Sequence, residues 1–170
     1  NLLFITRIEN GTMQLNLQPE MIEDIFREAI HHLGRNKRKH NISMHLEDDL
    51  LMANMDARLI IQVLVNLINN AIKYTPENSN ISLNARRVED KILIEVQDDG
   101  NGVLHPEQLF EMFYTENNRS GDTRRGMGLG LSLCKSIVQS HGGTIWVENV
   151  TPHGACFKFV LDAVEVKLYE

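Results

Sequence analysis

The stretch that decides the fold is Asn-Leu-Ile-Asn-Asn-Ala-Ile-Lys-Tyr-Thr-Pro, residues 66–76. It closes a longer run, from Asp56 to Tyr74, that predicts one continuous helix with Asp56 as its N-cap and Thr75-Pro76 as its end. Because this run is apolar on most sides, the helix is expected to be largely buried. With about 100° of rotation per residue, its polar residues share one stripe: Gln62, Asn66, Asn69, Asn70 and Lys73.

The composition of this polar stripe is unusual for a solvated helix face. Such faces favour Lys, Glu and Arg, whereas Asn is a poor helix former. Amide oxygens four residues apart, such as those of Asn66 and Asn70, can reach one hard cation, and Lys73 can then meet an anion beside it. An amphipathic helix with an ordinary wet face would also show a stripe, so both interpretations stay open.

Two glycine motifs flank a long polar segment. In the first, Asp98, Gly100 and Gly102 follow a predicted strand, where a carboxylate could accept a hydrogen bond from the amino group of adenine. A simple turn would also explain this motif, because Asp-Gly is a common turn dipeptide. In the second, Gly126-Met127-Gly128-Leu129-Gly130 enters a predicted helix, whose free backbone N–H groups favour anions. Its spacing fits neither the dinucleotide-binding nor the P-loop fingerprint.

The three features together are more specific than any one of them. Amide ligands for Mg²⁺, a carboxylate for a base and a helix start suited to phosphate are what an ATP site needs. The polar segment between the glycine motifs is long for an unstructured connection, which predicts a lid over the ligand.

The rest of the 170-residue chain predicts one mixed domain. Alternating patterns predict strands at Met13 to Leu17, Ile42 to Leu46, Ile81 to Val88, Lys91 to Gln97, Thr144 to Glu148 and Ala155 to Leu161. Further helices are expected from Pro19 to Leu33 and from Leu129 to Ser140, with a short helical segment over Asn1 to Asn10. An α/β two-layer sandwich, with a mixed sheet packed on helices, is the economical arrangement.

Composition excludes several other classes of function. The formal net charge of −6 disfavours a nucleic-acid-binding surface, and the short basic run from Arg35 to Lys39 is interpreted as a solvated helix end. No apolar run is long enough to predict a membrane span. Cys134 and Cys156 show no metal-like spacing and are predicted to be buried small hydrophobes, which suits a reducing cytoplasm.

These motifs resemble the boxes of sensor histidine kinases in order and spacing. Residues 66–76 resemble the N box, residues 98–102 the first glycine box, residues 109–114 the F box and residues 126–131 the second glycine box. The two ends of the chain, around Arg7-Ile8-Glu9-Asn10-Gly11 and Gly154-Ala155-Cys156-Phe157, resemble the KdpD-type potassium and turgor sensor kinases. The resemblance implies a Bergerat fold, the one shared by gyrase-, Hsp90- and MutL-type ATPases.

The resemblance also implies roles for individual residues. Asn66 and Asn70 would hold Mg²⁺, Lys73 would meet phosphate, and all three would be catalytic. Asp98 would bind the adenine amino group. The implied ATP-binding set is Asn70, Lys73, Tyr74, Asp98, Gly100, Gly102, Val103, Phe110, Arg119, Arg124, Arg125, Gly126, Gly128, Leu129 and Gly130.

Two positions depart from the family pattern. Many relatives carry Arg after the F box, where this chain has Thr115, so Arg119, Arg124 or Arg125 would have to stabilise the γ-phosphate. A Thr common near the adenine in relatives is matched to Cys156, and a thiol is a weak hydrogen-bond partner.

The chemistry implied is phosphoryl transfer rather than hydrolysis. Related ATPases carry a water-activating Glu one turn before the Mg²⁺-binding Asn, but here that position is Asn66, which cannot act as a general base. None of the seven histidines begins the acceptor pattern of the family. Residues 1–11 are therefore expected to end a dimerisation and phospho-acceptor helix, residues 12–163 to form the catalytic domain, and residues 164–170 to be a tail.

The partners implied are the chain's own dimerisation domain, in a homodimer of the full-length kinase, and a response regulator. The piece would be the cytoplasmic part of an inner-membrane sensor kinase and would not span the membrane or phosphorylate itself. Two alternatives remain at this point: a nucleotide-binding regulatory module without kinase activity, and an anti-sigma-type serine kinase.

Overall fold

The structure is a computed structural model that describes residues 14–111 and 130–164, without the side chains of residues 36–38. The strands are β1 (Gln18–Met21), β2 (Asn41–Leu46), β3 (Met52–Met55), β4 (Asn80–Val88), β5 (Lys91–Asp98), β6 (Ile145–Asn149) and β7 (Ala155–Asp162). The α-helices are α1 (Ile22–His32), α2 (Ala57–Lys73) and α3 (Gly130–Ser140). Short 3-10 turns lie at Gly34–Lys39 and Pro106–Gln108.

The main sheet has five strands in the order β2-β4-β5-β7-β6. β2 runs parallel to β4 and the other neighbours are antiparallel, so the sheet is mixed. Alternation puts Leu83, Val96 and Phe157 on one face, where they join the apolar core with the three helices. The predicted two-layer sandwich is confirmed.

The long helix α2 forms the centre of the helical layer. Seven of its residues are buried: Leu59, Ile60, Val63, Leu64, Leu67, Ile68 and Ala71. At roughly 2 kcal/mol for each fully buried large apolar side chain, this face dominates the stability of the layer. Asp56 occupies the predicted N-cap position, but its carboxylate makes no capping hydrogen bond there. It accepts instead from the backbone N–H of Asn16, at 3.1 Å.

The N-terminal part of the fold differs from the prediction. Leu15 and Leu17 lie outside any strand, and Met13 lies outside the described residues. Pro19 belongs to β1 and does not open the helix, which begins at Ile22. β1 pairs on one side with β3, a strand that was not predicted from the sequence. Its other edge needs no ladder hydrogen bonds, so the missing N–H group of Pro19 is tolerated there.

Other boundaries agree with the prediction to within a residue or two. The five strands predicted from Ile42 onwards are all present in the main sheet, and the helix ending at Ser140 is present as α3. The basic run from Arg35 to Lys39 is a 3-10 turn, separated from the end of α1. Within the described residues, no helix has the length and apolar character needed to cross a bilayer.

A buried histidine joins the end of α3 to the start of α2. His141 is 8% exposed, and its Nε2 accepts the backbone N–H of Asp56 at 3.0 Å. Its Nδ1 therefore carries the proton, which it donates to the carbonyl of Ile137 at 2.8 Å. Burial lowers the pKa of His141 below its usual value, although the Ile137 carbonyl and the Asp56 charge act in the opposite direction.

This lowered pKa predicts a pH dependence of stability. The unfolded chain takes up a proton on His141 near pH ~6.5, whereas the folded chain resists protonation until a lower pH. The stabilisation is complete above the unfolded-state pKa of ~6.5 and is lost as the pH falls from there towards the lower folded-state pKa, by at most about 1.4 kcal/mol per pH unit. Urea unfolding between pH 8 and pH 5 should therefore show a steeper loss for the wild type than for His141→Gln, whose amide accepts a hydrogen bond without titrating. Parallel curves would contradict the assignment.

Candidate nucleotide-binding site

Asp98 lies at the last position of β5, on the face of the sheet that the helices cover. It is 8% exposed, and its Oδ1 accepts the backbone N–H groups of Gly100 at 2.9 Å and Ala155 at 3.2 Å. Two hydrogen bonds from backbone that cannot rotate away fix the direction of the carboxylate. The second oxygen of the carboxylate is then an oriented hydrogen-bond acceptor.

The loop after Asp98 packs on the end of α2. A Cβ atom at Gly100 would lie 2.8 Å from Thr75 Cγ2 and 3.5 Å from the Tyr74 carbonyl oxygen. Only a residue without a side chain lets these segments approach so closely. The close approach brings the end of the polar stripe beside the fixed carboxylate.

Asn149 holds the next part of this loop in place. Its side chain accepts from the backbone N–H of Val103 at 2.8 Å and donates to the Val103 carbonyl at 3.0 Å. Gly102, with φ of +85°, leaves room for this amide, since a Cβ there would lie 2.6 Å from Asn149 Oδ1. Asn149 was not predicted from the sequence, because one Asn at a strand end carries no distinctive signal.

Gly154 is a second residue whose part in the site went unrecognised. Its φ is +123°, and a Cβ atom there would lie 2.2 Å from the Asp98 carbonyl oxygen. The residue therefore lets the start of β7 reach the end of β5, which places the Ala155 N–H group on the carboxylate. A Gly directly before a strand was the only sequence signal.

The polar stripe is partly buried along most of its length. Gln62 is exposed, but Asn66, Asn69, Asn70 and Lys73 are all partly covered. Asn66 reaches α3: burial raises the pKa of the Cys134 thiol to about 12, and a hydrogen bond from the Asn66 side chain acts against that rise. The Nζ atom of Lys73 lies 5.3 Å from the centre of the Tyr74 ring.

The start of α3 has open space beside it as far as the described residues go. Gly130 is exposed, and a Cβ atom there would meet nothing within 4 Å. The neighbouring predicted residues lie outside the described residues, so their roles stay predictions: Arg119, Arg124, Arg125, Gly126, Gly128 and Leu129. The same holds for Thr115 and for the rest of the predicted lid beyond residue 111.

The F-box residues that the structure describes anchor the loop to the core. Leu109 is buried, and Phe110 packs edge-on against Phe157 of β7, with ring centres 6.0 Å apart and an interplanar angle of 82°. Phe110 is thus held next to the strand that supplies Ala155. Whether its ring lines the nucleotide stays a prediction.

Cys156, which the sequence matches to a Thr common near the adenine in relatives, lies on the sheet face opposite to Asp98. Its Sγ donates to Glu95 Oε2 at 3.4 Å, on the sheet face opposite to Asp98. Burial, followed by the nearby Glu95 charge, raises the pKa of this thiol to about 12. Because side chains alternate along β7, the residue on the face of Asp98 is Ala155, one position earlier.

A mixed sheet under three helices, with a fixed acceptor at a strand end, defines a nucleotide-binding sandwich. Residues 55–165 match the family described as histidine kinase-, DNA gyrase B-, and HSP90-like ATPases, and the chain belongs to this family. It carries the ATP-binding catalytic domain of the histidine kinase group, which confirms the family predicted from the sequence motifs.

Two curated relatives are KdpD sensor proteins. The chain is 35% identical over 161 residues to sensor protein KdpD of Clostridium acetobutylicum, covering 94% of this chain and 18% of that protein. It is 34% identical over 164 residues to sensor protein KdpD of Escherichia coli, with 95% and 18% covered. The chain therefore spans about a fifth of the length of these relatives.

A solved catalytic domain has the same fold. The catalytic domain of histidine kinase ThkA, in a nucleotide-free form, superposes with a TM-score of 0.76 at 28% identity, covering 88% of this chain and 98% of that domain.

The close approach at Gly154 predicts a specific defect. Gly154→Ala should lower ATP affinity about tenfold or more, because its methyl group would push the Asp98 backbone away from Ala155. Gly142→Ala is the matched control: its φ is also positive, at +78°, but a Cβ there would meet no described residue within 4 Å. Both variants should lose stability in urea unfolding, by about 1–3 kcal/mol, from the strained backbone.

Calorimetric titration with ATP, at a temperature where both variants are folded, separates the two effects. Equal ATP affinity in the two variants would show that Gly154 acts on stability alone.

Proposed function

We propose that this chain transfers the γ-phosphoryl group of Mg-ATP to a histidine on a separate dimerisation domain of the full-length kinase. The phosphoryl group would then pass to an aspartate of a response regulator. The observation that carries the proposal is the fixed Asp98 carboxylate beside the asparagine stripe, in a chain of this family.

Recognition of the base rests on Asp98. A carboxylate whose Oδ1 is already held by two backbone N–H groups is an oriented acceptor for an amino group such as that of adenine. Tyr74, Gly100 and Val103 lie along the same wall and would surround the base and sugar.

The donor set of the stripe fits Mg²⁺. Mg²⁺ prefers oxygen ligands, and the side chains of the stripe offer amide oxygens. Asn66 and Asn70 supply them, and Mg²⁺ commonly takes one or two protein ligands together with phosphate oxygens and water. When bound, the ion neutralises charge on the phosphates.

The surroundings of the stripe orient its groups for this task. Asn66 lies near enough to the Cys134 thiol of α3 to affect its pKa, and an amide oxygen at this position would suit a hard cation. Lys73, one turn beyond Asn70 and partly buried, would place its charge on a phosphate oxygen. The glycines before α3 would offer backbone N–H groups to the phosphates, and one of the lid arginines would complete the charge.

Phosphoryl transfer is favoured over ATP hydrolysis because the site has no water-activating Glu at the position of Asn66. Asn66 stands where related ATPases carry the Glu that activates water, and an amide cannot take a proton from water. The nearby Cys134 thiol is buried, and its pKa of about 12 is too high for it to serve as a base near neutral pH.

The relatives support histidine as the acceptor. Those reported above are sensor kinases, which favours a histidine over the serine of anti-sigma-type kinases. One solved structure holds histidine kinase ThkA in complex with response regulator protein TrrA. By analogy, residues 1–11 would end the dimerisation and phospho-acceptor helix, residues 12–163 would form the catalytic domain, and residues 164–170 would be a tail. The parent would be an inner-membrane kinase with this part in the cytoplasm.

A chimera tests the transfer. In KdpD of Clostridium acetobutylicum, the matched residues are replaced by this chain, so that the relative's own acceptor helix stands before it. With γ-labelled ATP and Mg²⁺ the chimera should incorporate phosphate that is labile to acid and stable to base, as phosphohistidine is. The isolated chain should incorporate none. Changing the acceptor histidine to Gln, or Asn70→Ala in this chain, should remove the label.

Three outcomes would contradict the proposal. ATP binding without labelling, while the unaltered relative labels normally, would indicate a regulatory module. Label that is stable to acid would indicate a serine kinase. Label in the isolated chain would show that the acceptor lies within it.

A further inference from the structure

His40 lies between the 3-10 turn at Gly34–Lys39 and β2. Its side chain contacts the loop that follows α2. Backbone hydrogen bonds hold both of its neighbours: Asn78 N–H donates to the Lys39 carbonyl at 2.6 Å, and Asn41 N–H donates to the Ser79 carbonyl at 2.9 Å. An ion pair between Lys39 and Glu77, at 3.1 Å, adds a third tie. The imidazole is therefore carried by backbone that is fixed on both sides.

The hydrogen bonds of Thr75 determine which nitrogen of His40 carries the proton. Thr75 Oγ1 donates its single proton to the Ala71 carbonyl at 2.7 Å. His40 Nε2 lies 2.9 Å from the same hydroxyl oxygen and must therefore be the donor. His40 Nδ1 is then an acceptor, and within the described part of the chain it is buried with no hydrogen-bond partner.

Burying Nδ1 without a hydrogen-bond partner lowers the stability of the folded chain. We therefore asked what the hydrogen bond from His40 Nε2 to Thr75 contributes in return. The explanation lies on the other side of Thr75. With its hydroxyl held by two bonds, its methyl group is fixed against Gly100, where a Cβ would come within 2.8 Å of Thr75 Cγ2. The Gly100 N–H in turn donates to Asp98 Oδ1 at 2.9 Å.

A second connection joins the same two segments. The carboxylate of Asp99 accepts from the backbone N–H of Asn80 at 3.1 Å and from the Asn80 side chain at 2.9 Å. The loop of residues 75–80 therefore contacts the His40 segment on one side and the Asp98 loop on the other. A displacement of Thr75 is passed directly to the backbone that orients the carboxylate.

We propose that His40 is a positioning residue for adenine-nucleotide recognition: its Nε2–H group fixes Thr75, and Thr75 fixes the Gly100 amide that orients Asp98. The proposal rests on the proposed function for its nucleotide and adds a residue outside all four sequence boxes. His40 touches neither base nor phosphate in this account, and it acts through the loop alone.

The test compares His40→Gln with His40→Leu. A Gln side chain can place an N–H group near the position of Nε2, whereas Leu fills similar space without a donor. His45→Leu is the control, since His45 is also a strand-side histidine but is exposed on the sheet face away from the helices. Two readouts are taken on the 170-residue chain: the hydrogen-exchange rate of the Gly100 amide without nucleotide, and calorimetric affinity for ATP and ADP.

We expect only His40→Leu to lose both the protection of the Gly100 amide and part of its affinity for ATP and ADP. Its Gly100 amide should exchange faster, and its affinity for ATP and ADP should fall equally, by about three- to tenfold. Equal losses are expected because the connection leads to the base and not to the γ-phosphate. His40→Gln and the His45 control should stay within about twofold of the wild type in both readouts.

Several outcomes would overturn the proposal. They are an unchanged Gly100 exchange rate in His40→Leu, a loss of ATP affinity without a loss of ADP affinity, or an equal loss in His40→Gln. If the wild-type chain binds no nucleotide, the proposed function fails, and the Gly100 exchange rate alone decides whether His40 positions the loop. If His40→Leu is unfolded, Thr75→Val, which keeps a methyl group but removes the hydroxyl, replaces it in the same comparison.

Discussion

The fixed carboxylate of Asp98 is the constraint on which the rest of this structure depends. A carboxylate on the covered face of a sheet is stable only if hydrogen bonds replace the water that it loses. Here the replacements are backbone N–H groups from two segments far apart in sequence, those of Gly100 and Ala155. The sheet order puts β7 beside β5, and Gly154 lets β7 start close enough to donate.

The helix α2, which lies beside that carboxylate, holds one side of the site in place. The apolar residues of α2 are packed in the core, so its polar stripe has no freedom to turn elsewhere. The end of the helix meets Gly100 in direct contact through Thr75. Base, metal and phosphate groups would therefore be spaced by covalent geometry along one helix and one loop, and the lid would add only the last contacts.

Much of this could be predicted from sequence because the signals are local. The apolar period of α2 and the alternation of the central strands reflect burial on one side, which the core enforces. The place of Asp98 after a strand allowed either an acceptor or a simple turn, and its role towards adenine was implied by the resemblance and stays a prediction. The four motifs, in the order and spacing of the family, then made the family recognisable from the residues themselves.

The misses arose where position depends on distant partners. β3 has four residues and is a strand because β1 and the segment around Ala163 lie beside it. Cys156 was matched to a position near the adenine in relatives but lies on the opposite sheet face from Asp98, because neighbouring residues of a strand point to opposite faces. His40 and Asn149 make hydrogen bonds to loops more than thirty residues away, and a single polar residue gives no sign of such a contact.

The most direct test of this account is calorimetric titration of ATP and inosine triphosphate into the wild type and into Asp98→Asn, all with Mg²⁺. Inosine lacks the amino group that Asp98 would accept from. The account predicts that the wild type prefers ATP by about tenfold or more, and that Asp98→Asn loses most of this preference. Equal binding of the two nucleotides by the wild type, or an unchanged preference in the variant, would contradict the assignment of Asp98 to the base.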